Sequence, residues 1–416
     1  MSKRTLVVLV TAVAVVLVAG GVSAIALLGG DDPVDERPET VAPAEEDEDE
    51  DDPQPPAAEP VLETVVDGLS GPWGLAFLPD ENQVLVTQIV GTLSLVDVDT
   101  GEVRDIDGVP EVVDAGQGGL LDVAIHPEFP DPAWVYLTYS AGDGSGATTT
   151  HLARGLLDVD GERLTDVEVL FVAEPFRQGH AHYGSRVIFG ADGHLYLSIG
   201  DRGDKNFGDH PSQDTSNTIG STIRLAPDGA VPEDNPFVDD PAVADEIYSY
   251  GHRNVQGMAV HPDTGDIWQS EHGERDGDSI NISQPGGNHG WPVAHTGCLY
   301  GTNTPVGDHP ADRDDIVDPV HYWECGTGGF PPAGMTFYDG DEFPTWQGDL
   351  LVGGLATEYL ARFTVDGRSI AEAEPLLADE GWRIRDVEVS PHDGAIYVAV
   401  DGSNAPLVRL VNAAGG

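Results

Sequence analysis

The sequence predicts an all-β fold, a six-bladed β-propeller that comprises residues 61–416. Three observations support this fold class. Helical periodicity is scarce after Pro60, a two-strand pattern occurs six times, and segments near the two ends of this region could pair with each other. A β-sandwich, the alternative all-β architecture, gives no reason for a two-strand unit to be repeated six times.

The repeated pattern is an apolar triplet, a turn containing Pro, Asp or Gly, and a second run rich in β-forming residues. The repeats are spaced by roughly 50 to 75 residues, which exceeds typical blade lengths and indicates insertions in loops. Ring closure would pair residues 61–65 with residues 407–410 in one blade. The triplets are residues 75–77, 123–125, 187–189, 258–260, 335–337 and 387–389, and the second runs are residues 84–86, 135–137, 195–197, 267–268, 350–352 and 396–398.

The first sixty residues have a different composition. Lys3 and Arg4 precede an apolar run, residues 6–28, which is typical of an export signal and is also long enough to anchor the chain in a membrane. Residues 1–28 are therefore a signal peptide or a transmembrane anchor helix. Residues 29–60 are rich in Pro, Ala and acid, with eight successive acids at 45–52, and they predict a disordered linker. Because the basic flank stays inside, we expect the propeller outside the cytoplasm, secreted or anchored to the outer face of the membrane.

The charge of the chain limits its partners. Nineteen basic residues against 73 acidic ones give a formal net charge of -54, and lysine occurs only at Lys3 and Lys205. Nucleic acid and anionic membrane surfaces are therefore poor partners on electrostatic grounds. The two cysteines, Cys298 and Cys325, have no metal-ligand spacing and could form one disulfide in an exported protein.

Propeller geometry predicts a functional site. The first strand of each repeat lies nearest the axis, so the residues just before it should meet at one mouth of the central channel. Loops that follow the second strands should emerge at the same mouth. The preceding residues are Trp73, Gln117, His182, Arg253, Asn254, Pro331, Pro332, Arg383 and Arg385, and the following residues are Gln88, Asp201, His272, Gly273, Glu274 and Asp401.

Several of these residues also have structural explanations. Arg253 could bond the backbone of a neighbouring blade, and the alternating Arg383 and Arg385 could form salt bridges with Asp386 or Asp201. His180 is expected to be a supporting or surface residue. The shared placement of a histidine and several arginines at one mouth favours a binding site for an acidic ligand.

Five segments carry a family resemblance: "GQGGLLDVAIHPEF", "HYGSRVIFGADGHLYLSIGD", "YGHRNVQGMAVHP", "QSEHGERDGDSINISQPGGNHGWP" and "WRIRDVEVSPHDG". In this order they resemble the soluble glucose dehydrogenases and aldose sugar dehydrogenases that depend on pyrroloquinoline quinone, also called glucose/sorbosone dehydrogenases. The resemblance extends from about residue 61 to the C-terminus. The family fold is a six-bladed propeller, and its activity is oxidation of aldoses to lactones with pyrroloquinoline quinone and Ca²⁺.

The resemblance implies a role for each matching residue. His182 would be the general base that removes the proton from the anomeric hydroxyl of the sugar, while hydride passes to the quinone. Arg253 would stabilise negative charge on the quinone oxygens. The cofactor-binding residues would be Gln117, Arg253, Asn254, Arg383 and Arg385, and the calcium ligands would be the main-chain carbonyls of Gly273 and Glu274, with Asp278 in the same loop.

The sequence also departs from the glucose enzyme. Ala356 occupies the position of a cofactor-binding lysine, His289 the position of a tyrosine, and His272 the position of a glutamine. Two alternatives to the dehydrogenase stay open: a non-catalytic ligand- or protein-binding propeller, and a calcium-dependent lactonase. The sequence does not identify the sugar, the electron acceptor or the oligomeric state.

Overall fold

The computed structural model describes residues 58–79 and 82–413. These residues form six four-stranded antiparallel sheets and one two-stranded hairpin. The innermost strands of the six sheets contact one another in sequence order, and the last of them contacts the first. The predicted six-bladed propeller is confirmed. The predicted signal or anchor helix (residues 1–28) and nearly all of the predicted linker (residues 29–60) lie outside the described residues.

The strands follow one another along the chain, with residues 200–220 and 226–246 as the longest connections between them. They are β1 (Pro60–Leu69), β2 (Pro72–Phe77), β3 (Gln83–Gln88), β4 (Thr92–Asp97), β5 (Val103–Ile106), β6 (Leu120–Ile125), β7 (Trp134–Gly142), β8 (Thr148–Asp158), β9 (Arg163–Val172), β10 (Gly184–Phe189), β11 (Leu195–Ile199), β12 (Ser221–Leu225), β13 (Ile247–Tyr250), β14 (Val255–Val260), β15 (Ile267–Glu271), β16 (Ser279–Ile282), β17 (Ala294–Cys298), β18 (Pro305–Gly307), β19 (His321–Tyr322), β20 (Pro332–Phe337), β21 (Leu350–Gly354), β22 (Leu360–Asp366), β23 (Ser369–Leu376), β24 (Ile384–Val389), β25 (Ile396–Val400) and β26 (Ala405–Asn412). Short 3₁₀ helices span Pro211–Gln213, Pro310–Asp312, Pro344–Trp346 and Ala378–Glu380.

The blades contain four strands each. Blades one to three are β2–β5, β6–β9 and β10–β13, blade four is β14, β15, β16 and β19, and blade five is β20–β23. Blade six joins the two ends of the described chain, because β1 adds to β24–β26 as the outermost strand. Val61 pairs with Val411 and Leu62 with Leu410, which confirms the predicted closure. The Glu59 amide already bonds Asn412 Oδ1 at 3.0 Å, so the propeller begins before residue 61.

The blades pack against one another through apolar faces. Between blades one and six, Val84 and Val86 are fully buried with Tyr397, and the Phe77 ring meets the Tyr397 ring edge-on at 4.9 Å. Inner and second strands are buried on both faces, which explains their continuous apolar runs. This packing holds the start of each inner strand in place.

A β-bulge interrupts the start of every inner strand. The register shifts in all six inner hairpins at the same end, for example between Gly184 and Val187 and between Val255 and Gly257. A bulge turns the backbone and redirects side chains, and bulges are common next to active sites. Here they direct the first residues of the inner strands towards the central mouth.

The hairpin of β17 and β18 is inserted between the third and fourth strands of blade four. A disulfide joins Cys298 at the end of β17 to Cys325, which confirms the pairing that the two cysteines allowed. The Cys298 amide also donates to the carbonyl of Arg275 at 3.0 Å. The insertion is therefore fastened to the loop that precedes β16. No helix among residues 58–79 and 82–413 is long and apolar enough to cross a membrane.

A buried charge cluster lies at the propeller axis. Arg186 Nη1 contacts Asp122 Oδ1 at 2.9 Å and Asp386 Oδ1 at 3.0 Å, and all three side chains are almost fully buried. Burial, partly offset by Arg186, raises the pKa of Asp122 to about 7. Burial also raises the pKa of Asp386 and of the neighbouring Glu388. The axis thus holds more carboxyl groups than one arginine can neutralise.

The cluster predicts a pH-dependent loss of stability. Because the pKa of Asp122 is raised from 3.8 to about 7, the folded protein keeps a proton that the unfolded chain has lost in this interval. The free energy of unfolding should therefore decrease as the pH rises from about 4 to 7. Asp122→Asn should flatten this dependence and cost less at pH 8 than at pH 5. Urea unfolding followed by tryptophan fluorescence measures the difference, and parallel pH curves for the two proteins would contradict it.

Candidate active site

A cavity of about 340 Å³ opens at the mouth where the inner strands begin. Its apolar lining comes from residues that flank several blades, among them Trp73, Ile89, Leu121, Pro331 and Leu355. Its polar lining consists of Gln117, Asn254, Gln256, His272, Arg383, Arg385 and Asp401. The convergence predicted from the sequence is therefore observed at the cavity wall for eight of the predicted residues: Trp73, Gln117, Asn254, His272, Pro331, Arg383, Arg385 and Asp401.

His182 lies beside this cavity, next to the lining residues Tyr183 and Gly184. Its Nδ1 contacts Asp201 Oδ1 at 2.6 Å, and its backbone amide donates to Gln117 Oε1 at 2.7 Å. The residue adopts a left-handed backbone with φ of 49°. A Cβ at Gly200 would lie 2.2 Å from the His182 carbonyl oxygen, so this close approach requires glycine at position 200.

Asp201 fixes the orientation of the His182 ring. Its Oδ2 accepts from Trp291 Nε1 at 2.9 Å, and its Oδ1 accepts from the Gly203 amide at 2.7 Å. Burial by itself would raise the pKa of Asp201, but the hydrogen bond from His182 and the positive charge of Arg253 hold this pKa below its usual value. An ionised Asp201 accepts a hydrogen bond from the protonated His182 Nδ1, and this leaves Nε2 as the basic nitrogen.

Arg253 is buried behind the lining and paired with an acid. Its Nη2 contacts Glu274 Oε2 at 3.0 Å, and its guanidinium lies 5.3 Å from the Trp291 ring centroid. Its Nε is buried and has no hydrogen-bond partner among the described residues. The adjacent Asn254 lines the cavity and accepts from the Gly184 amide at 3.1 Å. Arg253 and His182 are close neighbours, since the Asp201 amide donates to the Arg253 carbonyl at 2.7 Å.

Arg383 and Arg385 share one counter-ion. Arg383 Nε lies 2.9 Å and Arg385 Nη2 3.1 Å from Asp401 Oδ2, so the predicted partners Asp386 and Asp201 are both wrong for this pair. Asp386 instead pairs with Arg186 at the axis. Arg385 Nη1 also donates to Gln256 Oε1 at 3.0 Å, and its buried Nε has no partner among the described residues.

His272 lines the cavity as a neutral imidazole. Burial, together with the charge of Arg253, lowers the pKa of His272 to about 3. Its Nε2 contacts the carbonyl of Pro332 at 2.5 Å, so this nitrogen carries the proton.

The loop that contains the predicted calcium ligands is held by Asp278. This carboxylate accepts from the amides of Gly273 and Phe330, each at 2.9 Å, and burial raises its pKa to about 6. The Glu274 carbonyl accepts from the Gly277 amide at 3.1 Å. In the part of the chain that the structure describes, no three His, Cys, Asp or Glu side chains are grouped as metal ligands. A calcium ion in this loop would therefore depend on main-chain oxygens.

Sequence reasoning missed several residues of the site. Tyr183 and Gln256 line the cavity, and Trp291 supports Asp201 from outside it. Gln256, on β14, lies inside the quoted segment "YGHRNVQGMAVHP" and two positions after Asn254. This spacing could have indicated it, because alternate residues of a strand share a face. Trp291 lies in the quoted segment that ends in "GGNHGWP", but its contact with Asp201 comes from a distant loop and has no local signal.

The matches to known proteins agree with this geometry. Residues 69–409 match the family model described as Glucose / Sorbosone dehydrogenase. The chain belongs to the glucose/sorbosone dehydrogenase family. The resemblance noted in the sequence is thus confirmed over nearly the whole propeller.

Three relatives illustrate this membership. The chain is 36% identical over 353 residues to the aldose sugar dehydrogenase YliI of Escherichia coli (strain K12), covering 84% of this chain and 92% of the relative. The crystal structure of the soluble aldose sugar dehydrogenase from Escherichia coli in the apo-form matches with a TM-score of 0.80 and 36% identity, covering 85% of this chain and 100% of that one. The PQQ-bound aldose sugar dehydrogenase from Streptomyces coelicolor matches with a TM-score of 0.69 and 30% identity, covering 86% and 99%.

In this member of the glucose/sorbosone dehydrogenase family, the residues that differ from the glucose enzyme have different surroundings. Ala356 lines the cavity, so the position that lacks the lysine faces the site. His289 lies away from the cavity and stacks on His252 with 4.4 Å between ring centroids. Burial lowers the pKa of His289 well below its usual value. Of the three departures, Ala356 is therefore the one that changes the charge of the cavity, because His272 lines it as a neutral imidazole.

Proposed function

We propose that this protein oxidises the anomeric hydroxyl of aldose sugars to lactones, with pyrroloquinoline quinone and Ca²⁺ as cofactors. The observation that carries this proposal is the His182–Asp201 pair beside a cavity lined by Arg383, Arg385 and Asn254. A base held by a carboxylate, next to cationic groups, suits removal of a proton from an alcohol during hydride transfer. Family membership supports the same chemistry.

The residues present fit the quinone. The cavity volume lies within the range of about 300 to 1,000 Å³ that is usual for small-molecule sites. The buried Nε atoms of Arg253 and Arg385 have no partners among the described residues, and such donors need an acceptor. Arg383 and Arg385 would bind the carboxylates, and Arg253 and Asn254 the quinone oxygens. When bound, the quinone supplies the two-electron acceptor that no amino-acid side chain provides.

The loop after β15 would hold the calcium ion. The main-chain carbonyls of Gly273 and Glu274 would be its protein ligands, and Asp278 would keep the loop in place through its bonds to two amides. Oxygen ligands of this kind suit Ca²⁺. The Glu274 side chain is already committed to Arg253 and Lys205.

His182 would act as the base through Nε2. Asp201 keeps the proton on Nδ1 before the reaction and stabilises the imidazolium that forms when Nε2 takes up the proton of the sugar hydroxyl. Trp291 and Gly203 fix Asp201, so the ring keeps one orientation. Gln117 bonds the His182 backbone and lines the cavity, and it would contact the sugar or the quinone.

We also propose that the protein functions outside the cytoplasm. The Cys298–Cys325 disulfide supports this location, because such bonds persist in oxidising compartments. The small residues Val22, Ser23 and Ala24 would allow cleavage of a signal peptide. Mass spectrometry of the mature N-terminus, on protein from the native cell, would distinguish a signal cleaved at this site from a retained anchor.

A reconstitution experiment tests the proposed activity. Purified protein loaded with pyrroloquinoline quinone and Ca²⁺ should reduce an artificial dye when glucose or another aldose is added. Treatment with EGTA should bring the rate close to background, and Ca²⁺ should restore it more fully than Mg²⁺, which demands a smaller, more rigid site. Tight quinone binding without oxidation of any aldose would contradict the proposed activity and favour a binding propeller. Full activity in EGTA would contradict the proposed role of Ca²⁺.

A further inference from the structure

Three side chains form a cluster at the rim of the mouth, outside the cavity. Lys205 comes from the loop after β11, and its Nζ lies 5.8 Å from the ring centroid of Phe207 and 5.6 Å from that of Tyr300. Tyr300 belongs to the hairpin of β17 and β18. We call Lys205, Phe207 and Tyr300 the rim cluster. Two loops that are distant in sequence thus place two aromatic rings around one cation.

Tyr300 is exposed although its hairpin is fastened. Its relative exposure is 63%, and among the exposed large hydrophobic side chains of residues 58–79 and 82–413 it is the one aromatic residue. The disulfide at Cys298 lies two positions away, and Arg275 donates to Asn303 Oδ1 at 2.9 Å and to the carbonyl of Thr302. A ring that is held in place yet open to solvent loses little conformational freedom when a ligand covers it.

The rim cluster is connected to the candidate active site. Lys205 Nζ contacts Glu274 Oε2 at 2.6 Å, and the same oxygen contacts Arg253 at 3.0 Å. The Phe207 ring meets the Trp291 ring edge-on at 5.4 Å, and Trp291 bonds Asp201. Arg253 also reaches the carbonyl of His272, which lines the cavity. A molecule on the rim cluster would therefore lie close to one whose reacting end is in the cavity.

We propose that the rim cluster is a second sugar-binding position, which holds a further residue of an oligosaccharide whose reducing-end aldose lies in the cavity. This inference rests on the proposed sugar oxidation. A pyranose ring has a face of C–H groups that packs on an aromatic ring, and its hydroxyl groups need polar partners. Tyr300 and Phe207 supply the rings, and Lys205, whose side chain is 53% exposed, supplies a donor beside the Glu274 carboxylate.

The kinetic test compares short oligosaccharides with glucose. In the quinone-loaded enzyme, Tyr300→Ala should lower kcat/KM for maltotriose or cellotriose about tenfold relative to that for glucose, which corresponds to about 1.4 kcal/mol. Tyr300→Phe keeps the ring and should preserve the ratio. Val169→Ala, which shortens an exposed side chain on the outer strand of blade two, is the matched surface control. The proposal would be overturned if Tyr300→Ala left the ratio of kcat/KM for the trisaccharides to kcat/KM for glucose unchanged, whether or not both values fell.

A binding measurement separates this inference from the proposed oxidation. Borohydride-reduced maltotriose and cellotriose have no anomeric hydroxyl at the reducing end, so they cannot be oxidised there. Isothermal titration should show at least one of them binding the wild-type protein more tightly than Tyr300→Ala, even if no aldose is oxidised. Equal affinities of the two proteins for both alditols, or binding by neither, would overturn the rim-cluster proposal whatever the activity assay shows.

Discussion

Replacement of His182 by alanine is expected to lower kcat for aldose oxidation by about 10²- to 10⁴-fold, the usual contribution of a general base. The reason is specific to this site. Asp201 holds His182 Nδ1 at 2.6 Å, so His182 Nε2 is the nitrogen available to a sugar hydroxyl. Steady-state dye reduction at saturating quinone, Ca²⁺ and sugar measures the loss. The quinone affinity should change little, because the arginines of the site are untouched.

The neighbouring His180→Ala is the matched control for this variant. His180 is exposed, and its backbone carbonyl, which accepts from the Gln117 amide, is kept in the variant. Asp201→Asn should show an intermediate loss and a shifted pH profile, because the amide cannot stabilise an imidazolium as a carboxylate does. The role of His182 would be refuted if His182→Ala kept the wild-type kcat or if His180→Ala lost as much.

Replacement of Arg385 by alanine is expected to weaken quinone binding by about 10- to 100-fold. A hydrogen bond to a charged group contributes about 1.5 to 3 kcal/mol. In addition to its contact with Asp401, Arg385 has a buried Nε that finds no partner among the residues the structure describes. Asp401 keeps Arg383 as a partner in the variant, so the loss should be confined to binding. Spectroscopic titration of the protein with the quinone, in the presence of Ca²⁺, gives the dissociation constants.

Two further variants make this result interpretable. Arg385→Lys keeps the charge but not the planar donor pair, and it should bind the quinone with intermediate affinity. Arg368→Ala removes a surface arginine whose side chain is 66% exposed, and it should bind like the wild type. Wild-type affinity in Arg385→Ala would exclude this arginine from the quinone site. A drop in melting temperature without quinone would indicate misfolding, which the Lys variant controls.

The fold could be predicted because its information is local. Each inner hairpin is marked by an apolar triplet, a turn and a second apolar run, as in residues 75–86, and these give strands whatever the rest of the chain does. The site followed from the same pattern. Gln117 and His182 come shortly before inner strands, so their convergence needed only the knowledge that inner strands surround an axis.

The features of the site that the sequence did not predict depend on long-range packing. No sequence pattern predicts the bulges at the starts of the inner strands, although these bulges determine which side chains point into the cavity. Arg385 follows Arg383 at strand spacing, yet nothing local indicates that both meet Asp401. Trp291 reaches Asp201 across 90 positions of sequence. Contacts of this kind arise when loops of different blades are brought together, and no local pattern encodes them.

The closing blade has a consequence for how the molecule is made. Glu59 bonds Asn412 across 353 positions, and β1 finds its neighbour only in the last strand of the described chain. Contacts between such distant positions carry a large entropic cost before they form, and proteins rich in them fold slowly. The ring therefore cannot be completed until residues 405–412 have been synthesised. Until then the chain lacks its closing blade, and such an incomplete fold would be compatible with the export that we propose.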